Sequence, residues 1–419
     1  MNSIVKQVYD NLVASNMKKL SRLAIIDIMI SFCKMNSPSN IFLLKKSMET
    51  NFAKDVKCNY ALHLFTPQNY GCDLRELFFT RDGKLITDDA EDDSKTLSYK
   101  RIELLTLFDT KKIESEIPHI MTDIDDTLFA HSAKGFAGED QSWIQKVPFP
   151  GIKTFYELFY SKLEEPYRYS TVLSATPGFM KMDRINNKQI KSILGPQQHG
   201  FIQGEESKLK AIELAKQIKF NSEEAFAYTG SMKHRRCVEY STLFPEYKLM
   251  FIGDNGQGDL IGGLNILRDI PKSCVFIHKI IQNNGTIKTN DEETDNPYPG
   301  RLFFFKNYLE LGKIFQQINV FNENDINVLR QSVIEDINLN LKKICSKRDI
   351  GQCKTTKEYE NMLSHYFCCE QANCLMPPHC ISETDIFKGG NKRNYKNKTK
   401  FKSSFWRIKR SKRKTRKTI

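Results

Sequence analysis

No apolar run in this chain is long enough to cross a bilayer. The most apolar window, "LAIIDIMISF" at 23–32, is ten residues long and holds Asp27, whereas a span takes about 20 apolar residues. A buried amphipathic helix is expected there, and no transmembrane segment. The opening stretch, "MNSIVKQVYDNLVASNMKKL", has no continuous apolar core beside its start. No secretory signal is therefore expected, and the expected location is cytoplasmic with mostly reduced thiols. No internal repeat is visible, and no Cys-x2-Cys pair, the usual spacing of a structural zinc site, occurs among the eleven cysteines. Acidic residues are missing altogether from residues 389–419, which hold fourteen Lys plus Arg. Removing those fourteen from the total of 63 leaves 49 basic against 50 acidic residues. The net charge of +13 thus belongs to a tail rather than to a basic body.

The remaining chain has the composition of a globular protein, with 40% hydrophobic and 11% aromatic residues over a length that allows two or three domains. Residues 1–48 read as an N-terminal helical segment, with Leu20, Leu23, Ile26, Met29 and Ile30 at helical spacing. Residues 49–115 read as a β-rich lead-in domain, strands being expected over 58–108 and a hairpin at Asp82-Gly83. "DDAEDD" at 88–93 reads as a solvated loop. From 116 to 320 short apolar runs, "HIMTDI", "YRYSTVLSA", "KLMFIGD" and "SCVFIHKI", alternate with helical segments such as "GIKTFYELFYSKL" and "SKLKAIELAKQI". This alternation predicts an α/β domain with a parallel sheet and helices on both faces. A helical, Cys-rich region follows over 321–388, with Ile326, Leu329, Val333 and Ile337 on one helix face, and then the tail.

Three of the strand candidates end in polar clusters: Asp123 with Asp125, Ser174, and Asp254. In an open parallel sheet, ligands meet the carboxyl ends of strands. "HIMTDIDDTLFAH" at 119–131 places three aspartates in four positions there, where without a cation they would only repel one another. The pattern suits hydrolysis of a phosphate monoester. Asp123 can act as a nucleophile that forms an aspartyl-phosphate, and Asp125 as the acid and base. The expected metal set is Asp123, Asp125, Asp254 and Asp259, holding Mg²⁺ through oxygen. Asp259 serves as a direct or outer ligand, or merely caps the next helix. Ser174 and Lys233 are expected to hold the phosphoryl group, with Lys208, Lys210 and Arg235 as competing basic residues. Thr127 is expected to hydrogen-bond locally and hold the motif. His131 reads as a polar residue of the following flap.

These residues, in this order, resemble the haloacid-dehalogenase-type phosphatases. More narrowly, they are similar to the family of the actin-patch-associated phosphatidate phosphatase. The resemblance lies in "DIDDT" (123–127), "PFPG" (148–151), "SATP" (174–177), Lys233 twelve residues before Pro245, and "GDNGQGD" (253–259), and it covers roughly 165 residues. Gly178, Asn255, "LIGG" at 260–263 and His278 depart from the family pattern, His278 standing where an arginine is common. The resemblance implies a haloacid-dehalogenase-like Rossmannoid parallel sheet and Mg²⁺-dependent conversion of phosphatidate to diacylglycerol. About 47 residues separate Asp126 from Ser174 and about 58 separate Ser174 from Lys233, leaving room for only a small cap or none.

Two further features are left open by the sequence. Cys345, Cys353, Cys368, Cys369, Cys374 and Cys380 lie with His365 and His379 within 36 residues. Structural Zn²⁺, disulfides, and buried or idle thiols are the three readings. The tail, with Phe405 and Trp406 among its basic residues, suits an anionic membrane surface, a nucleic acid, or nuclear targeting. The partners expected are therefore a phosphorylated substrate, a lipid first, and a polyanion at the tail. A nucleic-acid end phosphatase and a non-catalytic polyanion-binding scaffold are the alternatives.

Overall fold

The computed structural model describes residues 3–17, 22–49, 74–80, 83–86, 94–130, 139–140, 142–143, 146–173, 182–195, 199–202, 223–282 and 286–345. Six strands form one sheet in which every pairing is parallel: β1 (Ile117–Thr122), β4 (Ser170–Leu173), β5 (His199–Ile202), β6 (Tyr247–Asp254), β7 (Cys274–His278) and β8 (Leu302–Phe305). Their order is β5-β4-β1-β6-β7-β8. The chain builds outward from β1 on one side, then returns to β1's other side through β6. The order therefore reverses beside β1, and a crevice opens beyond the carboxyl ends of β1 and β6. A short antiparallel ribbon, β2 (Phe129–Ala130) with β3 (Val147–Pro148), projects directly from the aspartate-rich motif.

Helices cover both faces, so the strands are apolar on both sides rather than alternating. Ile117, Met121, Leu249, Phe251, Val275 and Ile277, every second residue of their strands, share one hydrophobic cluster with Val5, Ile26, Phe42 and Leu104. The helices on this face are α1 (Ser3–Met17), α2 (Arg22–Met35), α3 (Pro38–Ser47), α4 (Ser94–Thr110), α7 (Glu223–Leu243) and α8 (Asp259–Asp269). The opposite face meets α5 (Ile152–Ser161), α6 (Met182–Leu194), α9 (Tyr308–Gln317) and α10 (Glu323–Cys345). There Phe276 stacks on Phe303 at 5.3 Å and meets Phe315 at 5.0 Å, and Phe155 packs on Phe315, Tyr308 and Phe321.

The α/β architecture follows the sequence expectation: β4 and β7 fall within two of the four apolar runs read as strands, and β1 and β6 overlap the other two. The runs that form β5 and β8 were not read as strands, and "SKLKAIELAKQI" lies outside the described residues. The β-rich reading of 58–108 is overturned over its second half, because 94–110 is a helix. Its buried face runs through Leu97, Arg101, Leu104 and Phe108, a helical stripe hidden from a hydrophobicity reading by the arginine. Arg101 is wholly buried, and its Nε donates to the carbonyl of Leu77 at 2.8 Å. Of the expected hairpin, Phe79 and Leu85 do pair antiparallel, and Gly83 takes the left-handed φ of +81° that the turn requires.

The boundaries drawn at 48/49 and 115/116 are not breaks in packing, since the cluster runs across both. Helix α10 likewise packs on the sheet domain: Asp336 accepts from the Gly151 backbone N–H at 2.9 Å, and Lys162 pairs with Asp325 at 2.7 Å. Ile326, Leu329, Val333 and Ile337 are buried, as their spacing predicts. Among the described residues no helix is long and apolar enough to cross a membrane.

Helix α3 is fastened to the sheet by a buried charge. Lys45, 1% exposed, donates to the carbonyl of Leu243 at 2.8 Å and to Glu246 at 2.9 Å, between the rings of Phe108 and Phe244 at 4.9 Å each. Removing one partner of a buried pair strands the other charge. Lys45→Met is expected to destabilise the fold by about 3–5 kcal/mol in urea titrations. The double change Lys45→Met with Glu246→Leu should recover most of that loss; equal instability of the two variants would contradict this account.

Candidate functional site

Strand β1 delivers Asp123 to the crevice. The backbone N–H of Asp123 still bonds to the carbonyl of Ile252 at 2.9 Å, so its position is fixed by the sheet. The neighbouring strand β6 ends on Asp254, whose Oδ1 accepts the backbone N–H groups of Gly256 at 2.6 Å and Gln257 at 3.3 Å. Asp259 opens α8. It follows Gly258, which has a φ of +98° and whose missing side chain leaves room for the carbonyl of Phe226. Helix α7 crosses α8 closely at Gly230, where any side chain would meet the backbone of Gly258 and Gly262. That approach brings Lys233, one turn further along α7, into the site.

The four side chains form one buried constellation. Lys233 Nζ lies 2.6 Å from Asp123 Oδ1 and 2.5 Å from Asp259 Oδ1. Asp123, Asp254 and Asp259 each offer an oxygen within 4.8 Å of the others'. Burial raises all three carboxyls, and their mutual repulsion adds to it, while Lys233 works against both. Asp123 and Asp254 are pushed up to about 7 and Asp259 to about 6. For Lys233, burial alone would lower the value, but Asp123, Asp259 and Asp254 together hold it above its ordinary range. One ammonium against three carboxylates leaves negative charge uncompensated in a dry place, and a donor set made only of carboxylate oxygens suits a hard divalent cation.

The sequence-derived set is thus brought together in part. Asp123, Asp254, Asp259 and Lys233 converge, and the competing Arg235 takes no part in this constellation. The carboxylate of Asp125 is not in the converging triad. It pairs instead with Lys146, at 2.5 Å, at the entrance to β3. Among the described residues the carboxylates that converge are those of Asp123, Asp254 and Asp259, and the expected fourth, Asp125, is held by Lys146 instead. Ser174, Lys208, Lys210 and His131 lie outside the described residues, as do the cysteines from 353 onward and the basic tail.

Several residues hold the motif loop from behind. Asp126 Oδ2 accepts the backbone N–H groups of Glu139 and Asp140. His278 sets Nδ1 2.7 Å from the carbonyl of Asp126 and Nε2 3.1 Å from that of Lys306. Tyr308 donates its hydroxyl to the carbonyl of Thr127 at 2.8 Å. The Thr127 hydroxyl itself is buried and makes no hydrogen bond among the described residues, where its expected local bond is not formed. Asn255 ties the 253–259 loop to the segment beyond β7. It donates to the Lys288 carbonyl and to Asn290, and accepts from Ile280 N–H at 3.0 Å. The roles of Lys146, Tyr308 and Asn255 could not be read from the sequence, because each depends on a partner 21 to 181 residues away.

Compared with family models, with curated proteins and with solved structures, the chain matches none of them.

The raised carboxyls fix the sign of a pH effect. Between the ordinary carboxyl range and about pH 7 the folded state holds protons that the unfolded chain has released, so stability falls as pH rises through that window. In cation-free buffer the melting temperature should drop between about pH 5 and pH 8. Mg²⁺ should then raise it more at the higher pH. A melting temperature unmoved by Mg²⁺ at both values would speak against a cation site at the triad.

Proposed function

We propose that the chain is a Mg²⁺-dependent phosphomonoester phosphatase of haloacid-dehalogenase type working through an aspartyl-phosphate on Asp123. The observation that supports this best is the placement of Asp123. It stands at the end of the central strand, where the strand order reverses, against Lys233 and within reach of two further carboxylates. A nucleophilic carboxylate needs a fixed position, a neutralising cation beside it, and water kept from solvating it, and this arrangement meets all three requirements.

In the first step an Asp123 oxygen attacks phosphorus and the bond from phosphorus to the ester oxygen breaks. The electron pair leaves with that oxygen, which takes a proton from Asp125. In the second step Asp125 removes a proton from water, the water oxygen attacks phosphorus, and the bond to Asp123 breaks. This frees inorganic phosphate and restores both carboxyls. Asp123, Asp254 and Asp259 would hold a magnesium ion, whose charge would neutralise the phosphoryl oxygens. Lys233 keeps Asp123 and Asp259 oriented between turnovers, and Ser174 is assigned to the phosphoryl group. Lys146 holds the carboxylate of Asp125 in place for that proton transfer.

Within this class phosphatidate is the leading substrate, on the order of the motifs and on a basic tail suited to an anionic leaflet. Phosphate release from phosphatidate in mixed micelles, run beside a 3′-phosphorylated oligonucleotide, tests chemistry and substrate together. Wild type should release phosphate only with Mg²⁺, and Asp123→Asn should lower the rate by about three orders of magnitude or more. Release from the oligonucleotide alone would keep the mechanism and replace the substrate. A folded wild type that releases phosphate from neither would favour the scaffold reading. Asp125→Asn should lose more activity on an alkyl phosphate than on p-nitrophenyl phosphate, whose leaving group needs no proton; equal losses would remove Asp125 from the acid role.

A further inference from the structure

Two oxygens of the motif loop, Thr127 Oγ1 and Asp126 Oδ1, are buried and find no hydrogen-bond partner among the described residues, and the second belongs to a carboxylate. Asp126 is 1% exposed, and its two carboxylate oxygens differ sharply. Oδ2 accepts two backbone N–H groups, those of Glu139 and of Asp140, the latter at 3.0 Å. Oδ1 is buried as well and accepts a hydrogen bond from none of the described residues. A buried acceptor left in this state is costly, and native proteins satisfy nearly all of them, often with bound water.

The described groups that act on Asp126 do not compensate Oδ1. Its charged neighbours are Asp254 and Asp140, both acids, which together with burial hold its carboxyl well above the ordinary range. Asp140 is already committed: Oδ1 takes the N–H and hydroxyl of Ser142, and Oδ2 takes the Ile281 N–H at 2.9 Å. Asp254 Oδ1 takes two N–H groups of its own turn. The backbone of Asp126 is also left-handed, a conformation in which glycine would sit more easily. An aspartate kept there with half its carboxylate unused points to a partner that is not protein.

We propose that Asp126 is the outer-sphere residue of the cation site. Oδ1 accepts a hydrogen bond from a water carried by the cation at Asp123, Asp254 and Asp259, while Oδ2 holds the 139–140 backbone, so that cation uptake and the placement of this segment are linked. The proposal rests on the cation reading given above. Magnesium keeps several of its waters when protein-bound, and outer-shell acceptors of this kind tune affinity.

The test is Mg²⁺ binding by calorimetry on the full chain, with circular dichroism to confirm folding. The panel is wild type, Asp126→Asn, Asp126→Gly, Glu139→Gln and Asp123→Asn. Asparagine keeps one acceptor for the two N–H groups and turns the other atom into a donor; glycine suits the left-handed backbone and removes both. Each Asp126 variant should weaken Mg²⁺ binding by about tenfold to a hundredfold. Glu139→Gln removes a charge near the same 254–256 turn without touching Oδ1, and should bind close to wild type. Mg²⁺ should also slow hydrogen exchange at the Glu139 and Asp140 amides in wild type but not in Asp126→Asn. Wild-type affinity in Asp126→Asn would overturn the proposal, because a neutral Asp126 that needs no cation-held water predicts that result. Equal weakening by Glu139→Gln would overturn it too, as a mere effect of net charge. If wild type takes up no Mg²⁺, or Asp123→Asn binds it equally well, the cation reading itself fails and this proposal goes with it.

Discussion

Lys233 sits where three buried carboxylates would otherwise repel one another, and much of the surrounding architecture serves to bring it there. Its helix must lie close enough to α8 for the side chain to reach both Asp123 and Asp259, and that approach is possible only because Gly230 and Gly262 present bare backbone to each other. The strand order then places Asp123 and Asp254 side by side, because β6 is the strand that returns to β1. Sheet topology and a close helix crossing thus converge on the same few cubic ångströms. The electrostatic debt left there, three carboxylates to one ammonium, is what makes a divalent cation the natural completion.

The motif loop is held in three directions at once. His278 and Tyr308 take the carbonyls of Asp126 and Thr127, and Asp126 reaches forward to the 139–140 backbone, while Asn255 ties the neighbouring 253–259 loop to the segment beyond β7. None of these contacts is with the triad itself. They fix the backbone that carries Asp123, which is how a constellation of charges keeps its geometry. Asn255 and His278, two departures from the phosphatase pattern, both have positive structural work: each joins segments that would otherwise end in unsatisfied carbonyls or amides.

What the sequence made legible is what strand ends make legible. Asp123 and Asp254 follow apolar runs that could only be buried strands, and Asp259 and Lys233 lie at the spacing of a known motif order. Asp125, expected beside them, meets Lys146 instead, a partner 21 residues further on that two-residue alternation does not reveal. Helix 94–110 was missed because its buried stripe contains Arg101, whose guanidinium is satisfied by backbone carbonyls of the preceding hairpin rather than by solvent. β8, "LFFF", has no polar cluster at its end and no alternation, so periodicity alone could not separate it from a loop. In each case the missing information was a partner distant in sequence.

That distance has a consequence for how the chain is made. Lys45 finds its carboxylate 201 residues later, and the first three helices share their core with strands that the ribosome delivers only afterwards. At about 5–20 residues per second, α3 waits some tens of seconds with its apolar face and its ammonium without their final partners. These three helices are thus synthesised well before the strands that secure them, and their protection in that interval falls to whatever holds nascent chains rather than to the fold.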